Sequence, residues 1–250
     1  ATALFANSPF KNGKPSGLLS TRAHVWTDTD NARCGVPDCV FDPAFSYEQW
    51  IDYILDVPMY FLHRGEDYVD VAGKSFRDYL AGTLAGFEGE PPQMADFEDH
   101  ITTAFPDVRL KQYLEMRGAD SGSWANICAL PAYWVGLLYC DEALAEAEDL
   151  VRDIGADDVM AARLSVAKDG LLGKLGSHDV ATLAKKTIDI ASKGLRNRGV
   201  FDDGGDDESG FLQPLRKVIA TQKTPANVML DLYHGDWAED IDQVFTSNQY

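Results

Sequence analysis

Val108-Arg109-Leu110-Lys111-Gln112-Tyr113-Leu114-Glu115-Met116-Arg117 is the stretch on which the fold turns. On the strand period of two, Val108, Leu110, Leu114 and Met116 share one face, and Arg109, Lys111, Tyr113, Glu115 and Arg117 share the other. A strand lying on a core reads this way, apolar face inward and polar face to solvent. The polar face also admits a chemical reading. Glu115 stands one residue away from Arg117, with further cations and a phenol in line. A carboxylate can hold a hard metal ion through oxygen, and a guanidinium can grip a phosphoryl or carboxylate group with two parallel hydrogen bonds. The pairing suits phosphoryl transfer, where an enzyme mainly positions and neutralises charge.

Outward from that stretch, composition sets the limits. At 250 residues and 45% hydrophobic content the chain can build one large domain or two small ones around a sizeable core. A net charge of −18 argues against nucleic acid and against an anionic membrane surface, both of which need a basic footprint. No run approaches the roughly 18 apolar residues of a membrane span, and no signal peptide is visible. Cys34 and Cys39 sit in a loop with no histidine pair to complete a zinc site. Cys128 and Cys140 read as buried thiols, so a reduced, cytoplasmic protein is expected. The opening Ala1-Thr2-Ala3-Leu4-Phe5-Ala6-Asn7 lacks a methionine and reads at once as a buried strand. It gives the expectation that the chain starts inside a longer protein.

Residues 18–26 read as a short strand. Ser46 caps a helix over 47–55, stopped by Pro58. A strand is expected at 68–71, short helices at 74–80 and 95–103, and a long apolar helix from Ser123 to Tyr139 interrupted at Pro131. Amphipathic helices follow over 141–153, 157–168 and 179–198, the last ending at Gly199. Thr224-Pro225 starts another helix that Gly235 closes. Strands before residue 120 and helices after it predict an α+β chain, divided at 1–140 and 141–250.

Other candidates are weaker. His100 on its helix is a lone histidine. Thr102 and Thr103 read as caps of that helix end. Arg22 with Trp26 forms either a carboxylate clamp or a loop salt bridge. Asp28 and Asp30 have the spacing of metal ligands but lack the rest of a calcium loop. The turn 118–123 could receive an anion on its amides, without the lysine of a Walker loop. Tyr133, Trp134 and Tyr139 read as core packing.

The runs Leu4-Phe5-Ala6-Asn7-Ser8-Pro9-Phe10, Arg22-Ala23-His24-Val25-Trp26-Thr27-Asp28-Thr29-Asp30, Leu55-Asp56-Val57-Pro58-Met59-Tyr60-Phe61 and Tyr113-Leu114-Glu115-Met116-Arg117-Gly118-Ala119-Asp120 closely resemble plant-type glutamate–cysteine ligases. So do the run from Cys128 to Tyr139 and the tail from Thr224-Pro225 through Trp237 to Tyr250. The match runs in order over nearly the whole chain and covers only the C-terminal portion of that family. It implies a partial glutamine-synthetase-like antiparallel catalytic sheet packed by helices, with a mainly helical C-terminal part. It implies ATP-dependent joining of glutamate to cysteine through γ-glutamyl phosphate, with Mg2+, as the first step of glutathione biosynthesis. By position it assigns Glu115 to the metal, Arg117 to the transferred phosphoryl and Arg22 to the glutamate α-carboxylate. Trp26 joins the substrate site, and Arg109, Tyr113 and His100 join the catalytic lining.

The chain departs from the family pattern in places. Ala125 and Asn126 stand where two arginines usually follow the tryptophan, and Cys34 stands where threonine usually follows Arg33. The plant regulatory cysteine pair is absent near Val71 and at 84–85; the partner of the position matched by Cys128 would precede Ala1, as would other metal-binding glutamates. The implied partners are glutamate, cysteine, ATP and the N-terminal half of the same protein, with a homodimer also allowed. The 250 residues alone are expected to be inactive. Two alternatives are a ligase that joins activated glutamate to another amine and a non-catalytic acidic assembly module.

Overall fold

The computed structural model describes residues 1–247; 248–250, the end of the resembling tail, lie outside the described residues. Contacts divide the chain into two compact units, one formed by Ala1–Val25 with the chain from Gly118 onward, the other by Trp26–Arg117. The first unit opens with β1 (Phe10–Lys11), β2 (Lys14–Pro15) and α1 (Thr21–Val25). The second holds β3 (Cys34–Gly35), α2 (Tyr47–Asp56), β4 (Phe61–Arg64), β5 (Asp67–Asp70), α3 (Phe76–Leu80), α4 (Met94–Thr102), β6 (Phe105–Pro106), β7 (Val108–Leu110) and β8 (Leu114–Met116). The first unit resumes with α5 (Trp124–Leu138), α6 (Asp141–Val151), α7 (Ala156–Asp169), β9 (Lys174–Leu175), β10 (His178–Asp179), α8 (Val180–Arg198), α9 (Gln213–Thr221), α10 (Pro225–His234) and α11 (Gln243–Ser247).

The first unit is built on α5 against α8. Val180, Leu183, Ala184, Ile188, Ala191 and Leu195 recur at helical spacing on the buried face of α8. Two glycines let the backbones touch: a Cβ on Gly194 would sit 1.9 Å from the Gly136 carbonyl oxygen, and one on Gly136 would sit 2.3 Å from that of Ala191. The Tyr133 hydroxyl donates to Thr187 Oγ1 at 2.9 Å across the same seam. Tyr133 is buried as expected, whereas Tyr139 is 72% exposed. The expected boundary at residue 140 falls between α5 and α6, inside this unit. α5 also runs unbroken through Pro131.

Two expected strands take other forms. Residues 1–7 are buried, with Leu4 and Phe5 in the core, but they close a turn in which the Phe5 amide donates to the Ala1 carbonyl at 3.0 Å. A short apolar run reports burial, and only a partner strand would make it a strand. Residues 18–26 hold α1, and among the described residues their only sheet-like pairing is an isolated bridge, Ser20 to Ser8. α9, with proline in its first turn, was not anticipated. α10 starts as expected, with Thr224 and Asn227 forming a capping box.

In the second unit, Ser46 and Gln49 form the capping box of α2, which buries Trp50 and Ile54. A second cluster gathers Met59, Leu62, Val71, Phe76 and Tyr79 around the β4–β5 hairpin. β3 runs parallel to β6, pairing Cys34 with Phe105. The decisive stretch is a hairpin and not one strand: β7 and β8 are antiparallel, with Val108 opposite Met116, Arg109 opposite Glu115 and Leu110 opposite Leu114. Its burial departs from the expected faces at three positions. Val108 and Leu114 are 45% and 52% exposed, while Arg109 is 7% exposed.

The described strands all pair two by two, so small sheets among helices make an α+β chain. No single helix among the described residues is long and apolar enough to cross a membrane.

Candidate active site

The hairpin register places Arg109 directly across from Glu115, so the two side chains are cross-strand neighbours on one face. Arg109 donates to Glu115 Oε2 from Nε at 2.7 Å, and its Nη2 lies 2.6 Å from the same oxygen. Its Nη1 donates to the carbonyls of Thr102 at 2.5 Å and Ala104 at 3.0 Å. These carbonyls lie where α4 ends, the negative end of the helix dipole, so a cation there is doubly satisfied. That explains why an arginine of the polar face points inward.

Arg117 donates from Nη1 to the same Glu115 oxygen at 3.4 Å. Its guanidinium carbon lies 5.5 Å from the Trp26 ring and 5.4 Å from the Phe105 ring. The two rings stand 6.4 Å apart. A guanidinium flanked by aromatic faces is held by cation–π attraction and shielded from water. Side-chain exposure grades across the cluster: 8% for Arg109, 21% for Arg117 and 32% for Glu115. Partial burial opposes the charge of Glu115, but Arg109 and then Arg117 outweigh it and hold the carboxyl below its usual range.

Trp26, Arg109, Glu115 and Arg117 are therefore brought together. Tyr113 is not: it lies on the hairpin turn, 58% exposed, its ring 5.5 Å from Lys111 Nζ. His100 is in the core, 4% exposed, stacked on Phe76 at 4.5 Å, with Nε2 2.9 Å from the Ile54 carbonyl oxygen. Burial lowers its pKa, favouring a neutral ring; its surroundings are those of a packing histidine. Arg22 belongs to the first unit, on α1 rather than a strand end, with its amide donating to Ser8 Oγ at 3.1 Å.

Arg33 escaped the sequence reading. It is 3% exposed, donates to Asp30 Oδ2 at 2.7 Å and to the Thr103 carbonyl at 3.1 Å, and lies 3.5 Å from the centre of the Tyr60 ring. The spacing of Asp30 and Arg33 was its only signal. Asp30 is thus occupied by Arg33 and by the Tyr60 hydroxyl at 2.9 Å. The four thiols are free and half-buried, not fully buried. Burial pushes Cys34 and Cys39 up, away from reactive thiolates.

A divalent ion can be tested against these donors. Magnesium takes about six oxygens. Glu115 offers one carboxylate, already claimed by two guanidiniums. No group of three or more metal-binding side chains exists among the described residues. The donors of this chain do not by themselves fit a resident metal ion.

The family model described as glutamate-cysteine ligase family 2 (GCS2) matches residues 1–247. Among curated relatives, the chloroplastic glutamate–cysteine ligase of Solanum lycopersicum is 48% identical over 100% of this chain and 47% of its own length. Glutamate–cysteine ligase A, chloroplastic, of Oryza sativa subsp. indica is 47% identical, covering 50% of that protein. The Arabidopsis thaliana chloroplastic protein is also 47% identical, with 47% of it covered. The chain spans about half the length of these relatives. Their names overturn the cytoplasmic expectation, since all three relatives are chloroplastic. Free thiols separate reducing from oxidising surroundings but do not tell one reducing compartment from another.

Proposed function

Because this chain belongs to glutamate-cysteine ligase family 2, we propose that the protein containing it forms γ-glutamylcysteine from glutamate, cysteine and ATP, the first step of glutathione biosynthesis. A γ-carboxylate oxygen of glutamate takes the γ-phosphoryl group of ATP, releasing ADP. The cysteine amine then attacks the acyl carbon, and inorganic phosphate leaves. The family's chemistry implies a divalent cation, Mg2+ in this reading. The donors of this chain do not hold such an ion unaided.

The observation that carries the proposal is the Arg109–Glu115–Arg117 cluster with Arg117 flanked by Trp26 and Phe105. Arg109 is fixed by helix-end carbonyls and fixes Glu115 in turn; Glu115 and the rings aim Arg117. A preorganised guanidinium stabilises the charge on phosphoryl oxygens without having to reorganise during the reaction. Arg117 is accordingly the phosphoryl-binding residue in this reading, and the family resemblance, independently of the cluster, makes Arg22 the clamp for the glutamate α-carboxylate. The β7–β8 hairpin is this chain's part of a glutamine-synthetase-like sheet. Tyr113 and His100 take no chemical role: one lies on the exposed turn and the other in the core.

The test is Arg117→Lys in the full-length protein, followed by ADP release with glutamate and cysteine. Lysine keeps the charge but loses the planar fork. Turnover should fall by about a hundredfold or more, with KM for cysteine little changed. A rate within threefold of the unmutated protein would reject the assignment. The phosphoryl step is common to any acceptor, so an amine panel decides between cysteine and another amine. Equal turnover with non-thiol amines would favour the broader ligase.

A further inference from the structure

Asp120 is the buried hub of the segment that carries Arg22, and nothing in the phosphoryl cluster uses it. It is 7% exposed, and Ser20 beside it is fully buried. Its Oδ2 accepts from the Asn7 amide at 2.8 Å and from Ser8 Oγ at 2.7 Å; its Oδ1 accepts from Ser20 Oγ at 2.9 Å. Both serines pass the constraint on. Ser8 Oγ accepts the Arg22 amide at 3.1 Å, and Ser20 Oγ accepts the Ala23 amide at 3.0 Å.

A hydroxyl has one proton. Giving it to Asp120 leaves each serine's lone pairs for the first amides of α1. Those amides have no partner inside the helix, and a helix of one turn has little stability of its own. An acceptor-only carboxylate is the group that can take all three donors at once. Carboxylate bonds of this kind are short and strong.

We propose that Asp120 is a positioning residue for Arg22: acting through Ser8 and Ser20, its carboxylate fixes the first turn of α1 and so sets where the glutamate-binding arginine stands. This rests on the reading of Arg22 as the α-carboxylate clamp. Asp120→Asn keeps the shape but turns one oxygen into a donor. With its nitrogen on the Oδ2 side the amide meets the Asn7 amide, a donor that cannot turn away; on the Oδ1 side Ser20 must rotate its proton away and accept instead. In both cases the charge that anchors the serines is gone, so the turn loosens and the clamp loosens with it.

The experiment uses the full-length protein and initial rates against glutamate, with ATP and cysteine saturating. Arg22→Ala should raise KM for glutamate at least tenfold, and Asp120→Asn should raise it about fivefold, with kcat within about twofold and KM for ATP unchanged. The double variant should add nothing to Arg22→Ala, because two changes acting on one contact are not additive. A merely structural role would lower the active fraction, reducing apparent kcat and leaving KM alone. If thermal melting shows Asp120→Asn unfolded, Ser8→Ala carries the test, with the same rise expected. An unchanged glutamate KM in the folded variant, alongside a raised KM in Arg22→Ala, overturns the positioning role. An unchanged KM in Arg22→Ala overturns the reading of Arg22 and the positioning role together.

Discussion

Glu115→Gln isolates how much of the cluster is electrostatic. Removing one partner of a fully buried ion pair costs about 3–5 kcal/mol; an exposed pair is worth about 0–1 kcal/mol. This pair lies between, with Arg109 at 8% side-chain exposure and Glu115 at 32%. Arg109 keeps its bonds to the Thr102 and Ala104 carbonyls, and glutamine keeps one acceptor oxygen. The expected loss is about 2 kcal/mol at pH 7, a shift of roughly 1 M in the urea midpoint. The pH dependence identifies the cause. The folded carboxyl is held below its usual range, so its contribution is complete above the unfolded value of about 4.3 and fades as pH falls through the folded value. A protonated Glu115 is nearly a glutamine, so the two proteins should converge once the pH has fallen below the carboxyl's lowered folded value. Urea unfolding followed by tryptophan fluorescence at several pH values measures this. A gap that persists in acid would place its origin in packing rather than charge. A gap below about 0.5 kcal/mol at pH 7 would mean that water already screens the pair.

Gly194→Ala should cost about 3 kcal/mol or more, because its Cβ would meet the Gly136 carbonyl oxygen at 1.9 Å, in backbone that cannot move aside. Gly210→Ala, facing open space, should stay within about 0.5 kcal/mol; thermal melts compare the two. His100 is buried with a lowered pKa, so the unfolded chain binds that proton more readily and stability should decline as pH falls below about 6.5. In His100→Gln that part of the slope should flatten, as urea midpoints at pH 5.5 and 7.5 would show. Tyr133→Phe removes the bond to Thr187 and should cost about 1 kcal/mol by denaturant titration.

Helices were legible where the signal is local. Ser46 with Gln49, Thr224 with Asn227 and the stripe ending at Gly199 each carry their own start or stop, and the structure has a helix at each. Strands were not legible where pairing is non-local. The β3–β6 ladder joins Cys34 to Phe105, and nothing within either two-residue strand announces the other. Residues 1–7 and 18–26 show the same limit from the other side. Apolar content foretold burial of the first, but hydrogen-bond partners decided its shape. Ser20 served as a helix cap, with Ala23 as its donor, where a strand had been expected.

In the decisive hairpin the alternation held, and burial departed from it at Val108, Arg109 and Leu114. A turn at 111–113 preserves parity, since Arg109 pairs with Glu115 across it, so both readings of the stretch put the same side chains on one face. What the alternation cannot contain is the end of α4, whose carbonyls make a dry place for Arg109. Polarity predicts exposure only while water is the best available partner, and here a helix terminus and a carboxylate are better. The same fact revises Glu115. A carboxylate held below its usual range by two guanidiniums would have to surrender that attraction in part to accept a metal ion. In the form described it holds Arg117 in place, and on the proposed reading the phosphoryl contact falls to the arginine it positions.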